Sequence, residues 1–308
     1  MINRVLIRVK VVQMLYSYLL TKEDVTLRSA KDNLKKSLEK SYELYYSLIA
    51  MMIDLTHMQE QRLDYAKNKY LPTEEEMNPN LRFVENKLIA LLENCEEYKE
   101  YQESHLISWK DEVGMHLILD KIVSSDVYAD YMALPATDLK TDAAFWCDIL
   151  KKVIFEDENF GDFLESKSVF WNDDLFIIGT FFVKTLKRWG EGKEKQLLPM
   201  FKDEEDAKFP SQLFDDVVKN EDKYNEYIDK FVNTKSWDAD RVAFMDRVIL
   251  QTAISEYLNF PKIPSTVTLN EYIEIAKQYS SSKSGVFVNG ILDSVIKYLK
   301  KEYKLVKE

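Results

Sequence analysis

Residues 264–277 read PSTVTLNEYIEIAK, and residues 287–293, which follow a serine-rich connection, read FVNGILD. The proline that opens the first segment blocks the propagation of any preceding helix. Thr268 and Glu271 have the spacing of a capping box, in which the two side chains satisfy free backbone donors at a helix start. The spacing therefore predicts a helix that begins at Thr268, and a last helix that begins near Ser284.

The segment just before this stretch predicts a third helix. Its apolar side chains recur at helical spacing and form one wide stripe, which consists of Val242, Met245, Val248, Ile249, Thr252, Ala253 and Tyr257. Such a stripe is typical of a helix that packs in a core. Together the three segments predict a unit of three antiparallel helices.

The rest of the chain is also predicted to be helical. Its 308 residues include only seven Gly and seven Pro, which leaves few positions for turns between short strands. Helical patterns cover about 2–20, 29–69, 81–103, 111–133, 142–156, 172–189 and 211–232. The segment from Gly190 to Pro210 contains the charge run KDEED and is interpreted as a linker or an exposed connection. We therefore predict an all-α fold.

Acidic residues are concentrated in the middle of the chain. The formal net charge is −11 at pH 7, but residues 1–20 carry three basic side chains and no acidic one. Residues 237–308 carry ten basic and nine acidic side chains, so that 29 basic and 44 acidic ones fall in residues 21–236. The overall charge therefore does not exclude a nucleic-acid surface formed by the two ends of the sequence.

The cysteine usage and the first apolar segment both predict a cytoplasmic protein. Cys95 and Cys147 lie far apart without metal-binding spacing, which fits a reducing compartment and no structural zinc. The apolar stretch from Val5 to Leu20 is interrupted by Arg8 and Lys10, and no cleavage site of small residues follows it. No apolar run approaches the length of a membrane span.

Motifs of catalysis are not found in the sequence. There is no glycine-rich phosphate loop, no GxSxG turn and no HExxH helix. Of the three histidines, only His57 follows an acidic residue, Asp54, at a spacing of three, and a di-metal helical site would need repeated pairs of this spacing. We therefore predict neither an enzyme nor a bound cofactor or metal.

The two segments quoted first resemble the C-terminal signature of the NusB family of bacterial transcription factors. The similarity extends upstream through DRVILQTAISE (246–256), and QMLYS (13–17) resembles part of the first NusB helix. The resemblance covers residues 1–20, the first helix of the NusB-like N-terminal subdomain, and residues 210–308, the C-terminal subdomain, as far as about residue 300. Residues 21–209 remain as an acidic helical insertion or an enlarged N-terminal subdomain.

The resemblance implies a NusB-like bundle of two helical subdomains that acts in transcription antitermination, the regulation of transcription termination. In the family, boxA-type single-stranded RNA is bound together with NusE, a small-subunit ribosomal protein, in the elongation complex that transcribes ribosomal RNA. Some family members form homodimers, and the resemblance leaves self-association open here. An alternative is an acidic protein-interaction scaffold of the transcription or ribosome-assembly machinery, with little RNA affinity of its own.

The resemblance also implies which residues bind. It carries over Arg4, Arg8 and Tyr16 of the first helix and Phe287 of the last one as candidate RNA-binding residues. Lys10 and Lys283 are further candidates because their positive charges could reach a phosphate. Asp246, which matches an acidic position of the core helix, is the candidate partner-binding residue. The opening helix is expected to fold against the C-terminal helices and to gather these side chains on one surface.

Some of these positions depart from the family pattern or have a second interpretation. Val5 and Leu6 stand where many relatives have an arginine cluster, and Lys283 stands where they have an acid. The two arginines of the first helix could instead be the solvated end of a core helix. Phe287 is either a core aromatic residue or a base-stacking platform for single-stranded RNA.

Overall fold

The computed structural model describes residues 2–110, 113–171, 173–193, 195–234 and 242–303. These residues form fifteen α-helices and one π-helical turn, and they contain no strand, so the predicted all-α fold is confirmed. The chain divides into two compact units. Residues 39–200 form the middle unit, and residues 2–38 together with 201–308 form the terminal unit. No helix among the described residues combines the length and apolar character that crossing a membrane requires.

The middle unit contains the greater number of helices. It begins within α2, which runs from Leu27 to Lys67. It continues through α3 (Glu74–Met77), α4 (Lys87–Glu93), α5 (Glu96–His105), α6 (Val113–Val123), α7 (Asp126–Ala133), α8 (Leu139–Ile149), a π-helical turn (Leu150–Ile154), α9 (Glu158–Lys167) and α10 (Leu175–Gly190). The pattern predicted as one helix at 81–103 is thus two helices, because the chain turns at Asn94 and Cys95, between α4 and α5.

Helices α8 and α10 pack closely in the core of the middle unit. Trp146 of α8 and Trp189 of α10 are both buried. Gly190 lies directly against α8, because a Cβ built on it would be only 2.5 Å from the Cβ of Ala143. A glycine at this position therefore allows the two helices to approach each other more closely than any side chain would.

The terminal unit is built around a buried central helix. Its members are α1 (Arg4–Thr21), the start of α2, α11 (Glu204–Lys219), α12 (Glu221–Thr234), α13 (Phe244–Asn259), α14 (Ser265–Tyr279) and α15 (Ser284–Tyr303). Helix α13 contacts α1, α11, α12, α14 and α15. Eleven of its 16 residues are buried, which explains why its apolar stripe is wide. The three helices predicted from residues 242–298 are present and pack on one another.

The predicted linker from Gly190 to Pro210 is wrong in part. Gly190 is the last residue of α10, and α11 already begins at Glu204 and includes Pro210. The charge run forms the N-terminal cap and the first turn of α11. The Asp203 carboxylate accepts a hydrogen bond of 2.9 Å from the backbone N–H of Asp206. The acidic residues of this first turn also lie at the positive end of the helix dipole. Only residues 191–203 remain as a connection.

The predicted capping box at Thr268 is also wrong. Helix α14 begins at Ser265, immediately after Pro264. The hydroxyl of Thr268 does not cap the helix but donates a hydrogen bond of 2.8 Å to the carboxylate of Glu256 on α13. The side chain that local spacing assigned to a helix cap therefore forms a hydrogen bond with a different helix.

Candidate functional site

Arg8 of α1 forms a buried ion pair with Glu256 of α13. The Arg8 side chain is 2% exposed and that of Glu256 is 0% exposed. The guanidinium donates two hydrogen bonds, from Nε to Oε2 at 2.7 Å and from Nη2 to Oε1 at 3.0 Å. This two-point geometry is the one that arginine forms most strongly with a carboxylate. Arg8 therefore fixes α1 against the central helix and does not share the exposed surface that we expected for it.

The same carboxylate also binds α14. Besides the Thr268 hydroxyl, the Tyr272 hydroxyl donates to Glu256, over 3.1 Å. Glu271 adds a second negative charge 3.9 Å from Arg8. The carboxylate of Glu256 thus connects α1, α13 and α14 through one network, which satisfies the requirement that a buried charge be paired and hydrogen-bonded.

The network shifts the pKa values of its members. Burial alone would lower the pKa of Arg8, but the hydrogen bonds and the charge of Glu256 outweigh it, and the pKa is raised. Burial raises the pKa of Tyr272 well above its usual value, and the neighbouring Glu256 carboxylate contributes in the same direction. The tyrosine therefore remains a neutral hydrogen-bond donor in the folded protein.

A raised pKa of Tyr272 makes the terminal unit sensitive to alkali. The stabilisation by a group of raised pKa is present below its unfolded pKa, about 10 for tyrosine, and is lost as the pH rises towards the folded value. We expect the free energy of unfolding to fall above that pH, and the Tyr272→Phe variant to lose up to about 1.4 kcal/mol less per pH unit. Urea denaturation at neutral and alkaline pH checks this. Equal losses in both proteins would contradict it.

Arg4 lies one helical turn before Arg8 and remains partly exposed. Its Nε donates to the Asp206 carboxylate at 2.6 Å, and 32% of its side chain is exposed. The guanidinium carbons of Arg4 and Arg8 lie 5.4 and 5.8 Å from the ring centre of Phe209. Distances of this kind are those of cation–π contacts. The ring of Phe209, on α11, therefore contacts the guanidinium groups of both arginines.

A second group of predicted residues lies near the first turn of α13. Tyr16 of α1 is half-buried, and its ring centre is 5.4 Å from that of Phe244, which is 36% exposed. Two residues later, the buried Asp246 accepts a hydrogen bond of 2.9 Å from the hydroxyl of Ser284, the first residue of α15. The second carboxylate oxygen of Asp246 is buried without a hydrogen-bond partner among the described residues.

Lys283 and Phe287 flank Ser284 at the start of α15. Lys283 is exposed and Phe287 is half-buried. The predicted residues therefore form two groups. The arginines of α1 meet the later part of α13, and Tyr16 meets its first residue, so α1 and α13 run antiparallel. Because ten residues of helix separate Asp246 from Glu256, the groups lie about 15 Å apart along α13.

Lys10, the remaining predicted cation, is 2% exposed. Sequence reasoning also missed Phe209, Phe244 and Glu256, which position the predicted residues. Phe244 and Glu256 stand in a segment similar to NusB, but nothing in the local pattern indicates that Glu256 pairs with a residue 248 positions away. RNA binding by Arg8 and Lys10, and partner binding by Asp246, stay predictions.

The carboxylate and imidazole singled out in the middle unit have separate partners. Nε2 of His57 lies 2.6 Å from a carboxylate oxygen of Glu93. Asp54 instead accepts hydrogen bonds from the backbone N–H of Trp109, at 2.6 Å, and from the hydroxyl of Ser108, at 3.1 Å. Both groups thus hold other elements of this unit in place.

Comparisons with known proteins agree with the resemblance seen in the sequence. The sequence model of the NusB family matches residues 181–297. Similar curated proteins include three named transcription antitermination protein NusB. The chain is 36% identical to that of Salinibacter ruber over 99 residues, 38% identical to that of Methylacidiphilum infernorum over 128, and 37% identical to that of Koribacter versatilis over 116.

These alignments cover 61%, 88% and 73% of the three relatives, in that order, but only 32%, 39% and 38% of this chain. No solved structure matches the chain significantly. Since two relatives of more than 30% identity are covered over more than two thirds of their length, and since the family signature forms the packed helices α13 to α15, the chain belongs to the NusB family.

Proposed function

We propose that this protein is a transcription antitermination factor that binds boxA-type single-stranded RNA together with NusE in the transcription of ribosomal RNA. The observation that carries the proposal is the family membership, because the similar proteins are named transcription antitermination proteins. The arrangement of α1 beside α13 supports it, because the basic residues of the first helix and the signature of the last helices belong to one unit.

In this proposal the RNA contacts four side chains. Arg4 and Lys283 supply positive charge to phosphate groups, and both are at least partly exposed. Tyr16 and Phe287 supply ring faces for bases, which single-stranded RNA presents unstacked. Arg8 acts as a positioning residue, since its ion pair with Glu256 holds α1 in place. A short single strand would run over the surface of the terminal unit from one group of residues to the other.

Removing one phosphate contact should weaken RNA binding in a salt-dependent way. For Lys283→Ala we expect lower affinity for a boxA-type RNA, and a slope of log affinity against log salt that is smaller by about 0.7, the value for one contact on a single strand. Fluorescence anisotropy over a salt series measures both. Lys152→Ala is the matched control, because Lys152 is an exposed lysine of the middle unit, paired with Asp148. If both variants keep the unmodified slope, Lys283 makes no phosphate contact.

A second function is favoured by the charge distribution. The net charge of −15 on residues 21–236 would attract a basic protein, and the chain could act as a scaffold with little RNA affinity. The same anisotropy assay with and without NusE separates the two proposals. An antitermination factor of the proposed kind binds RNA more tightly when NusE is present. The scaffold would bind NusE in a salt-sensitive way and show no RNA binding under either condition.

We also propose that the middle unit is an insertion into a NusB-like protein. The terminal unit unites α1 and the start of α2 with residues 201–308, as expected if the first helix and the C-terminal helices once followed each other more closely. The family match begins at residue 181, within α10, so the boundary of the insertion would lie inside the last helix of the middle unit.

A further inference from the structure

A cleft of about 260 Å³ lies beside the N-terminal turn of α1. Its walls are formed by α11 and by the connection between α13 and α14. The side chains that matter for its chemistry are Arg4, Glu205, Lys208, Phe209, Phe260 and Lys262. Pockets for drug-sized ligands have volumes of about 300 to 1,000 Å³. The cleft is therefore sized for one planar ring system and not for a larger ligand.

Two phenylalanines form the apolar part of the cleft. The ring centres of Phe209 and Phe260 are 4.8 Å apart, and the planes meet at 77°, an edge-to-face contact. Phe209 is buried, 1% exposed, whereas Phe260 is half-buried and keeps part of its ring accessible. Phe209 thus supports Phe260, and Phe260 presents an aromatic surface to a ligand. Bases stack on such surfaces irrespective of sequence.

Three cations surround these rings, and each is paired with an acid from the first turn of α11. Asp206 pairs with Arg4, Glu204 with Lys208 at 3.1 Å, and Glu205 with Lys262. The two lysine pairs are exposed at the rim, where an ion pair contributes little to stability. A phosphate group would therefore compete with these carboxylates for the two lysines, and the ion pairs that it breaks contribute little to stability.

We infer that this cleft holds one base of a single-stranded RNA, stacked on Phe260, with the adjoining phosphates on Lys208 and Lys262. The inference rests on the proposed function and adds a base-binding position to it. Cations beside an accessible ring face are the combination by which proteins hold single strands, and Arg4 belongs both to this cleft and to the proposed RNA surface. A peptide is the competing ligand, and its binding is an outcome of the test below.

The stacking position is tested with Phe260→Leu and Phe260→Tyr. Leucine keeps apolar contact with Phe209 but has no ring, whereas tyrosine keeps the ring. We expect Phe260→Leu to weaken binding of a boxA-type oligoribonucleotide about tenfold, since one stacked base contributes about that factor or more, and Phe260→Tyr to bind nearly as tightly as the unmodified chain. Phe176→Leu is the control, because Phe176 is a phenylalanine of the middle unit that is 85% exposed.

The phosphate position is tested with Glu205→Gln, which frees Lys262 from its acidic partner. We expect this variant to bind the oligoribonucleotide up to about fivefold more tightly, since an exposed ion pair contributes at most about 1 kcal/mol. Asp148→Asn, which removes the exposed acidic partner of Lys152 in the middle unit, should leave binding unchanged. A role of Glu205 in stability alone would not increase affinity for RNA.

The outcomes separate this inference from the function on which it rests. If the unmodified chain binds no RNA, both fail. If the unmodified chain binds RNA and Phe260→Leu binds it equally well, the cleft is not a base site although the proposed function stands. A loss of NusE binding without a loss of RNA binding in Phe260→Leu would assign the cleft to a protein partner and would likewise overturn the inference. Thermal unfolding monitored by circular dichroism verifies that each variant is folded.

Discussion

Replacing Arg8 with alanine should lower the free energy of unfolding of the terminal unit by about 3–5 kcal/mol, the usual effect of removing one partner of a buried ion pair. Glu256 is 0% exposed, so its carboxylate would remain in the core after losing the positive charge of Arg8. The hydroxyls of Thr268 and Tyr272 would still donate to it, but neutral donors do not balance a buried charge.

Arg4→Ala is the control for this substitution. Arg4 stands on the same helix and also pairs with an acid, but its side chain is 32% exposed against 2% for Arg8, so its removal should cost less than that of Arg8. Hydrogen exchange of the backbone amides of α13 reports the stability of the terminal unit directly. If Arg8→Ala exchanges no faster than Arg4→Ala, the ion pair is not a main source of stability. Adding Glu256→Gln to Arg8→Ala should recover part of the loss, because the buried negative charge is then absent.

Replacing Gly190 with alanine should destabilise the middle unit by about 1–3 kcal/mol, the typical cost of overpacking a core. The added methyl group would lie 2.5 Å from the Cβ of Ala143, so α8 and α10 would have to move apart. The compensating variant is Ala143→Gly. Alone it should cost about 1 kcal/mol through helix propensity, yet it should recover stability when combined with Gly190→Ala, since it vacates the required space.

Gly161→Ala provides a matched control within the same unit. Gly161 lies in α9, and a Cβ built on it meets no atom within 4 Å. Alanine at this position should therefore be neutral or stabilising by up to about 1 kcal/mol, because glycine is the weaker helix former. Urea denaturation of the four variants measures the coupling between positions 143 and 190. Additive effects of the two substitutions would contradict the close packing of α8 on α10.

The helices of the terminal unit were largely predictable because their signals are local. Pro264 separates α13 from α14, and apolar residues recur at helical spacing on either side of it. The errors arose where a local signal had a tertiary explanation. Thr268 has the spacing of a cap but donates to Glu256, and Gly190 resembles a linker residue but provides space for Ala143. Neither partner lies within the window that a periodic pattern spans.

The candidate site was less predictable than the fold for the same reason. An arginine in a basic first helix is compatible with an exposed surface, and only the distant Glu256 makes Arg8 a core residue. Exposure of Arg4 and Lys283 could be expected from their positions at helix starts. The contact of Phe209 with Phe260 depends on how α11 meets the end of α13, which no spacing within either helix specifies.

The separation of Arg8 from Glu256 also affects how the chain is made. The two residues are 248 positions apart, and at about 5–20 residues per second a ribosome needs roughly 12–50 s to reach the second after the first. Until α11 and then α13 have been made, α1, of whose 18 residues nine are buried in the finished protein, lacks the helices that later cover it. The middle unit can meanwhile be completed, so the nascent chain should present α1 to chaperones until α13 has emerged.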